Sequence, residues 1–281
     1  MSRADIPASR STTYANIMIP VDFSEDSTHR MQLAVGLADK FSCQIIGVAA
    51  REINPPLYFE TPTAGIASII DIEERDAKSK LAEAEVSFRQ ALGECRGNAW
   101  RQALANPTTY LLEQSRIADL IIVGSPGEAS NGDSVQGVNG ADIVMGAGRP
   151  VLLVPPGTSQ LEAKRVVIAW KDTREARRAV WDALAFLKGA QEVFIAAEPS
   201  AITAAEDLAD YLGRHNVSAI PVDGLEDGRT SGDHIIRIAR RERADLIVCG
   251  AYGHARAREW VFGGVTQDLI NKSSVCCLMS H

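Results

Sequence analysis

The chain has 281 residues and a formal net charge of −7 at neutral pH, with 46% hydrophobic and 23% charged residues. This length allows about two domains of ordinary size, and the composition is that of a folded globular protein rather than a disordered or fibrous one. No apolar run approaches the ~20 residues that cross a membrane, and the acidic balance argues against a general nucleic-acid binder.

In the first half of the chain, short apolar runs alternate with helical patterns. The first predicted strand covers residues 16–22 and ends at Asp22, and Ser24 is predicted to cap the helix that follows. Four more strands are predicted at residues 43–50, 100–104, 120–123 and 151–154. The predicted helices include a long one at about 66–92, one that Thr108 caps and one near Ala141.

The pattern then starts again after a proline- and glycine-bearing stretch, residues 155–159, which is typical of a linker. The second half predicts strands at residues 166–169, 192–197, 218–222, 246–249 and 275–279, with helices at 174–188, 202–215, 231–243 and 260–272. Strands separated by helices predict βαβ units, and therefore parallel sheets with helices on both faces.

The two halves also repeat each other in sequence. A spacing of 126 residues separates Ala118-Asp119-Leu120-Ile121 from Ala244-Asp245-Leu246-Ile247, whereas 149 residues separate Ser24 from Thr173. The first half therefore holds 23 additional residues, which we place between Arg51 and Leu92. Two copies of one α/β unit fit the usual domain size.

The cysteines and histidines give no sign of a disulfide framework or a metal site. The five cysteines are odd in number, include no CxxC pair and lie mostly in apolar runs, which favours free buried thiols. The adjacent Cys276 and Cys277 are expected to face opposite sides of a strand. The histidines lack metal-ligand spacing. Residues 1–13 lack the apolar core of a signal peptide, so we expect a cytoplasmic protein.

A glycine-bearing stretch, GAYGHARAREWVFGGVT, joins a predicted strand to the last helical pattern. Its glycines stand at positions 250, 253, 263 and 264, and the first half repeats the spacing with Gly124, Gly127 and Gly137. Such a loop can bring bare backbone N–H groups against a phosphate, and the helix N-terminus adds a partial positive charge. The spacing alone is a weak signal, and its repetition strengthens it.

Two motifs, Val21-Asp22-Phe23-Ser24-Glu25 and GxxG-x9-GGVT, resemble those of the universal stress protein family in its two-copy (tandem) form. The resemblance implies an α/β fold: two doubly wound, Rossmann-like (adenine nucleotide alpha hydrolase-like) open sheets of five parallel strands in the order 3-2-1-4-5. It also implies pairing through the fifth strands as an intrachain pseudo-dimer. We expect the repeats to cover residues 14–156, with the insertion at about 51–92, and residues 164–281.

The resemblance further implies ATP or another adenine nucleotide as the ligand, although some family members bind none. In this strand order, the carboxyl ends of strands one and four open a crevice in which ligands bind. The candidate ligand-binding residues of the first copy are Asp22, Gly124, Gly127 and Gly137. Those of the second copy are Trp170, Lys171, Gly250, Tyr252, Gly253, Gly263, Gly264, Val265 and Thr266.

Each copy departs from the family pattern. Val138 and Gly264 stand where the family has a Ser or Thr hydroxyl, and losing one hydrogen bond to a charged group costs ~1.5–3 kcal/mol. Lys171 replaces the aspartate that ends strand one. Compared with the family pattern, the second copy therefore keeps more of the phosphate-binding loop, and the first copy keeps more of the part that would hold the base. Two alternatives stay open: Asp22 is a ligand contact or a helix cap, and Trp170 packs in the core or stacks on a base.

The resulting hypothesis is a stress-response protein that uses a nucleotide as a conformational ligand and acts through protein partners. One alternative is an interaction scaffold whose crevices are empty or filled by side chains. Another is a weak ATP hydrolase or transferase, for which Lys171 is the only suggestive group. No nucleophile, base and orienting group appear together, so we assign no catalytic residue and expect at most slow hydrolysis. We expect a monomer with an internal pseudo-dimer or a homodimer, without membrane or nucleic-acid partners.

Overall fold

The computed structural model describes residues 14–22, 24–53, 64–93, 97–126, 137–223, 232–251 and 264–281. Within them, ten strands form one sheet with helices on both faces. No helix in these ranges is long and apolar enough to cross a membrane.

The first half contributes five strands and four α-helices. They are β1 (Asn16–Pro20), α1 (Glu25–Phe41), β2 (Gln44–Arg51), α2 (Ala64–Leu92), β3 (Asn98–Leu104), α3 (Pro107–Gln114), β4 (Leu120–Gly124), α4 (Gly140–Gly146) and β5 (Val151–Val154). A short 3-10 turn, Ser115–Ile117, lies between α3 and β4.

The second half contributes five more strands and five α-helices. They are β6 (Arg165–Trp170), α5 (Arg174–Asp182), α6 (Leu184–Leu187), β7 (Glu192–Ala197), α7 (Ile202–Arg214), β8 (Ala219–Val222), α8 (Gly232–Arg241), β9 (Leu246–Gly250), α9 (Gly264–Lys272) and β10 (Cys276–Ser280). A 3-10 turn, Pro199–Ala201, precedes α7.

The strand order is β3-β2-β1-β4-β5-β10-β9-β6-β7-β8. Neighbouring strands within each half are parallel, and the two halves meet where β5 and β10 pair antiparallel, with Leu153 opposite Cys277. The predicted order 3-2-1-4-5 is therefore confirmed in both halves, and so is the predicted pairing through the fifth strands.

Strand register confirms the sequence repeat residue by residue. Ile17 pairs with Leu120 in the first half, and Val166 pairs with Leu246 in the second. These pairs reproduce the two spacings that the sequence shows. By the same alignment, Trp170 occupies the position of Val21, Lys171 that of Asp22, and Ala179 that of Arg30.

The core consists of two apolar layers, one on each face of the sheet. Side chains alternate along each strand, so Ile17 lies in the layer under α1, α2, α5, α6 and α7, whereas Met18 lies in the layer under α3, α4, α8 and α9. Cys276 and Cys277 are buried and fall in opposite layers, as predicted. Burying each large apolar side chain contributes about 1.5–3 kcal/mol.

Aromatic rings join the two halves across the first of these layers. The ring of Phe41 packs edge-on against those of Tyr14 and Phe186, at centroid distances of 5.2 and 5.0 Å. The Tyr14 hydroxyl donates a 2.6 Å hydrogen bond to the carbonyl oxygen of Asp182. A bend at Ala183 ends α5 before α6 begins, so the predicted helix 174–188 is divided.

The additional residues of the first half include most of α2, which has 29 residues where α7 has 13. Within residues 69–92 of this helix, the buried side chains repeat every three or four residues and begin at Ala77; they are Ala77, Leu81, Ala84, Phe88 and Leu92. A Cβ on Gly47 would lie 2.7 Å from the Phe88 ring, so the glycine allows α2 to approach β2 closely.

Two local predictions are corrected. Asn106, not Thr108, caps α3: its Oδ1 accepts the Thr109 N–H at 3.1 Å, and Pro107 occupies the first helical position. The Thr108 hydroxyl instead accepts the Asn139 N–H. Strand β1 ends at Pro20 rather than Asp22, although the Val21 N–H still donates to the Val48 carbonyl oxygen at 2.9 Å.

Candidate functional site

Two equivalent crevices lie where the chain leaves neighbouring parallel strands in opposite directions. The first crevice is the space at the carboxyl ends of β1 and β4, beside Asp22 and Gly124. The second crevice is the space at the carboxyl ends of β6 and β9, beside Lys171 and Gly250. Open α/β sheets bind ligands at such switch points. The residues that surround the two crevices differ, and these differences decide what each can accept.

An arginine fills part of the first crevice. The Arg30 guanidinium is buried, and its Nη2 donates to Asp22 Oδ2 at 2.5 Å. A Cβ on Gly124 would lie 2.8 Å from Arg30 Nη1, so the guanidinium occupies the space that this glycine leaves beside its Cα. Arg30 Nε is buried and has no hydrogen-bond partner among the described residues.

Asp22 also supports the start of α1. Its Oδ1 accepts the Ser24 N–H at 2.9 Å and the Ser24 hydroxyl at 2.5 Å. Ser24 occupies the N-cap position, but its own side chain makes no capping hydrogen bond, in contrast to the prediction. Asp22 therefore has the structural role that the sequence left open, and both of its carboxylate oxygens have partners within the chain.

The Asp22–Arg30 pair has no counterpart at the equivalent positions of the second crevice. Lys171 and Ala179 stand at the positions of Asp22 and Arg30, so neither partner is present. The backbone of α5 instead lies directly on β9: a Cβ on Gly250 would lie 2.4 Å from the Ala176 nitrogen and 2.7 Å from the Glu175 carbonyl carbon. Thr173 caps this helix by accepting the Ala176 N–H at 3.3 Å.

Trp170 lies at the end of β6, beside the second crevice. The residue is 7% exposed and packs in the apolar layer with Ala176, Ala179 and Val180. Of the two alternatives for Trp170, the structure therefore shows packing in the core. Its indole Nε1 is nevertheless buried without a hydrogen-bond partner in the described part of the chain. An unpaired buried donor of this kind costs about 1–3 kcal/mol.

The helices that follow β4 and β9 begin differently. In α4, Asn139 Oδ1 accepts the Ala141 and Asp142 N–H groups at 3.0 and 3.3 Å. The equivalent residue of the second half is Val265, which has no acceptor. Helix α9 begins at Gly264, Thr266 is buried in its first turn, and a Cβ on Gly264 would meet no atom within 4 Å.

Several predicted site residues fall elsewhere. Gly137 lies three residues before the start of α4, and Val138 packs against the apolar layer there. Gly127, Tyr252, Gly253 and Gly263 lie outside the described residues. The structure therefore brings Asp22 together with Gly124, and Trp170 and Lys171 to the strand end beside Gly250.

Charge separates the two crevices further. Residues 171–178 span the start of α5 and include four basic and two acidic residues. The equivalent residues 22–29 span the start of α1 and include three acidic residues and no lysine or arginine. Arg174 and Arg177 are exposed, and Arg177 pairs with Asp172 at 2.7 Å. The formal charge of these segments alone therefore favours an anion at the second crevice over the first.

Sequence reasoning missed Arg30 and Asn139. Neither residue belongs to the quoted motifs. Each lies beside the first crevice, whose remaining residues come from segments that are distant in sequence. Comparing the two halves could have found both, because Arg30 aligns with Ala179 and Asn139 aligns with Val265, and the residue types differ at both positions. Among the described residues, no three His, Cys, Asp or Glu side chains come together as a metal-binding group.

Fold and crevices define a class: a two-copy, doubly wound α/β protein with a switch-point crevice in each copy. Residues 179–281 match the model of the Universal stress protein family. No curated protein sequence matches the chain significantly.

Two solved structures match almost the whole chain. A universal stress protein from Archaeoglobus fulgidus DSM 4304 superposes with a TM-score of 0.66 at 17% identity, over 94% of this chain and 95% of that one. A functionally unknown protein from Pseudomonas aeruginosa PAO1 superposes with a TM-score of 0.54 at 11% identity, over 95% and 92%. These likenesses show that the chain shares the fold of the two structures over nearly its whole length.

Proposed function

We propose that this chain is a tandem universal stress protein that binds one adenine nucleotide in the second crevice and acts through protein partners. The two repeats of this proposal cover residues 14–156 and 164–281. The nucleotide is the conformational ligand, and its presence changes the surface that a partner meets.

The observation that carries the proposal is the close approach of α5 to Gly250. It sets the N-terminus of one helix at a strand end, and the segment between Gly250 and Gly264 leads into the N-terminus of a second helix, α9. Helix N-termini attract phosphate through unpaired N–H groups and a partial positive charge. The basic start of α5 adds to this attraction.

In this proposal, the glycine segment holds the phosphates and the end of β6 holds the base and ribose. The phosphate-binding residues are Gly250, Tyr252, Gly253, Gly263, Gly264, Val265 and Thr266. Lys171 supplies a cation at the position where the first half has Asp22, and Trp170 Nε1, at the same strand end, is a donor without a partner among the described residues. Because Gly264 lacks the family's hydroxyl, we expect an affinity roughly 10- to 100-fold below that of a site with Ser or Thr there.

Isothermal titration calorimetry with ATP tests the proposal on the purified full-length chain. We expect about one nucleotide per chain and loss of binding in Gly253→Val. The matched control is Gly127→Val, the equivalent change in the first half, which should leave the binding isotherm unchanged. Absence of heat up to millimolar ATP would favour the interaction scaffold instead.

A turnover assay separates the remaining alternative. The proposal expects at most slow ATP hydrolysis, since no nucleophile, base and orienting group have been identified around the second crevice. Efficient phosphoryl transfer that disappears in Lys171→Ala would replace the conformational-ligand proposal with a transferase.

A further inference from the structure

We propose that the first crevice is closed to nucleotide by the chain's own side chains, and that Arg30 is the residue that closes it. The inference rests on the proposed function for the identity of the ligand, an adenine nucleotide. Its consequence is an asymmetric protein, in which two copies of one fold carry a single ligand.

Arg30 closes the end of the crevice beside β1. Its guanidinium is buried, pairs with Asp22 at 2.5 Å and occupies the space beside Gly124. A ligand that approaches Asp22 there must displace a buried, ion-paired guanidinium. Ala179, at the same position of α5, has no side chain long enough to do this in the second half.

Asn139 precedes Gly140 at the start of α4, and a Cβ on Gly140 would lie 3.7 Å from the Gly124 carbonyl oxygen beside the first crevice. The Asn139 side chain accepts two N–H groups at the start of α4, which are the donors that a phosphate would otherwise use. The Ile143 N–H donates to the Asn139 carbonyl oxygen, so three N–H groups at the start of α4 have acceptors on Asn139. Val265 provides no equivalent acceptor in the second half.

Electrostatics act in the same direction. Residues 22–29, at the start of α1, include three acidic residues and no lysine or arginine, so a polyphosphate brought there would meet like charge. The equivalent residues 171–178 have a net positive charge. Two local contacts and the local charge thus agree that the first crevice is closed and the second open.

The test is to open one crevice and close the other in the full-length chain, and to count bound ATP by native mass spectrometry and calorimetry. We expect one ATP per wild-type chain and two per Arg30→Ala chain. The double variant Lys171→Asp/Ala179→Arg transplants the ion pair into the second crevice and should weaken ATP binding at least tenfold. Arg89→Ala, which removes an exposed arginine of α2, is the control and should bind as wild type does.

Guanidinium provides a second measurement on Arg30→Ala. Millimolar guanidinium chloride should refill the space that the side chain leaves and compete with the additional ATP, without affecting ATP in the second crevice. If Arg30→Ala does not fold, the transplanted pair decides: unchanged ATP affinity in Lys171→Asp/Ala179→Arg contradicts the inference.

The outcomes also separate this inference from the proposed function. A wild-type chain that binds two ATP molecules, or an Arg30→Ala chain that binds less ATP than wild type, overturns the closure by Arg30. A wild-type chain that binds none refutes the proposed function alone; a site gained in Arg30→Ala would then still support closure, and no gain would refute it.

Discussion

Gly250 lies directly against the backbone of Ala176, so that a Cβ on the glycine would stand 2.4 Å from the Ala176 nitrogen. The contact joins the end of β9 to the first turn of α5. Because the atoms that approach the glycine belong to the backbone, they cannot move aside as the end of a flexible side chain could.

We therefore expect Gly250→Ala to destabilise the protein by about 1–3 kcal/mol, the usual cost of overpacking. Urea denaturation followed by circular dichroism measures the change. Gly36→Ala is the matched control, since Gly36 is exposed in α1 and its Cβ would meet nothing within 4 Å. That control should gain about 0.5–1 kcal/mol from helix propensity, and equal effects of the two changes would contradict the contact.

Tyr14 ties the first half to the second through its hydroxyl and its ring. Tyr14→Phe removes the hydrogen bond to the Asp182 carbonyl oxygen but keeps the ring packing, so we expect a loss of about 0.5–1.5 kcal/mol. Tyr14→Ala also removes the contacts with Phe41 and Phe186 and should cost about 3–5 kcal/mol. Equal losses in the two variants, by urea denaturation, would show that the ring does not contribute.

Asp182 makes the stability depend on pH. Burial raises the pKa of its carboxyl above the ordinary 3.8, although the Ser280 hydroxyl and Arg178 act against this. A raised carboxyl pKa means that the folded state holds the proton more tightly. Its contribution to stability is therefore present at low pH and is lost as pH rises from about 3.8 through the folded pKa.

Asp182→Asn should consequently be more stable than wild type at pH 7, and the difference should shrink as the pH falls through the folded pKa towards about 3.8. Thermal unfolding between pH 3 and pH 8 measures it. Asp39→Asn, at an exposed position of α1, is the control and should change stability by less than about 0.5 kcal/mol at any of these pH values. A constant difference across the range would assign the effect to something other than titration.

The buried cysteines should resist chemical modification. Burial raises the pKa of both Cys276 and Cys277 to about 12, and it raises that of Cys249 well above its ordinary value. At pH 8, a thiol with that pKa is thiolate in about one molecule in 10⁴. In a Cys95→Ser variant, we expect no reaction of the native protein with a disulfide reagent over minutes, and four reactive thiols after unfolding. Rapid native labelling of Cys276 or Cys277 would contradict the burial.

Much of the fold could be predicted from sequence because its signals are local or repeated. Apolar runs predicted strands such as Glu192–Ala197 with correct bounds, and the alternation of strand and helix predicted a parallel sheet. The cap of α3 was predicted wrongly because two residues near its start, Asn106 and Thr108, both have a side-chain oxygen that can accept a hydrogen bond from a helix N-terminus. Only the geometry shows which of them meets the free N–H.

By itself, the sequence determined that one α/β unit occurs twice, which apolar runs form its strands, and which glycines stand at the end of the fourth strand in each copy. The tertiary structure alone decided how those strand ends are filled. Arg30 and Gly124 are far apart along the chain, and a side chain's destination depends on packing across the sheet rather than on its neighbours in sequence. For that reason, two crevices with similar motifs are lined differently: an ion pair lines the first crevice, and the backbone of α5 lines the second.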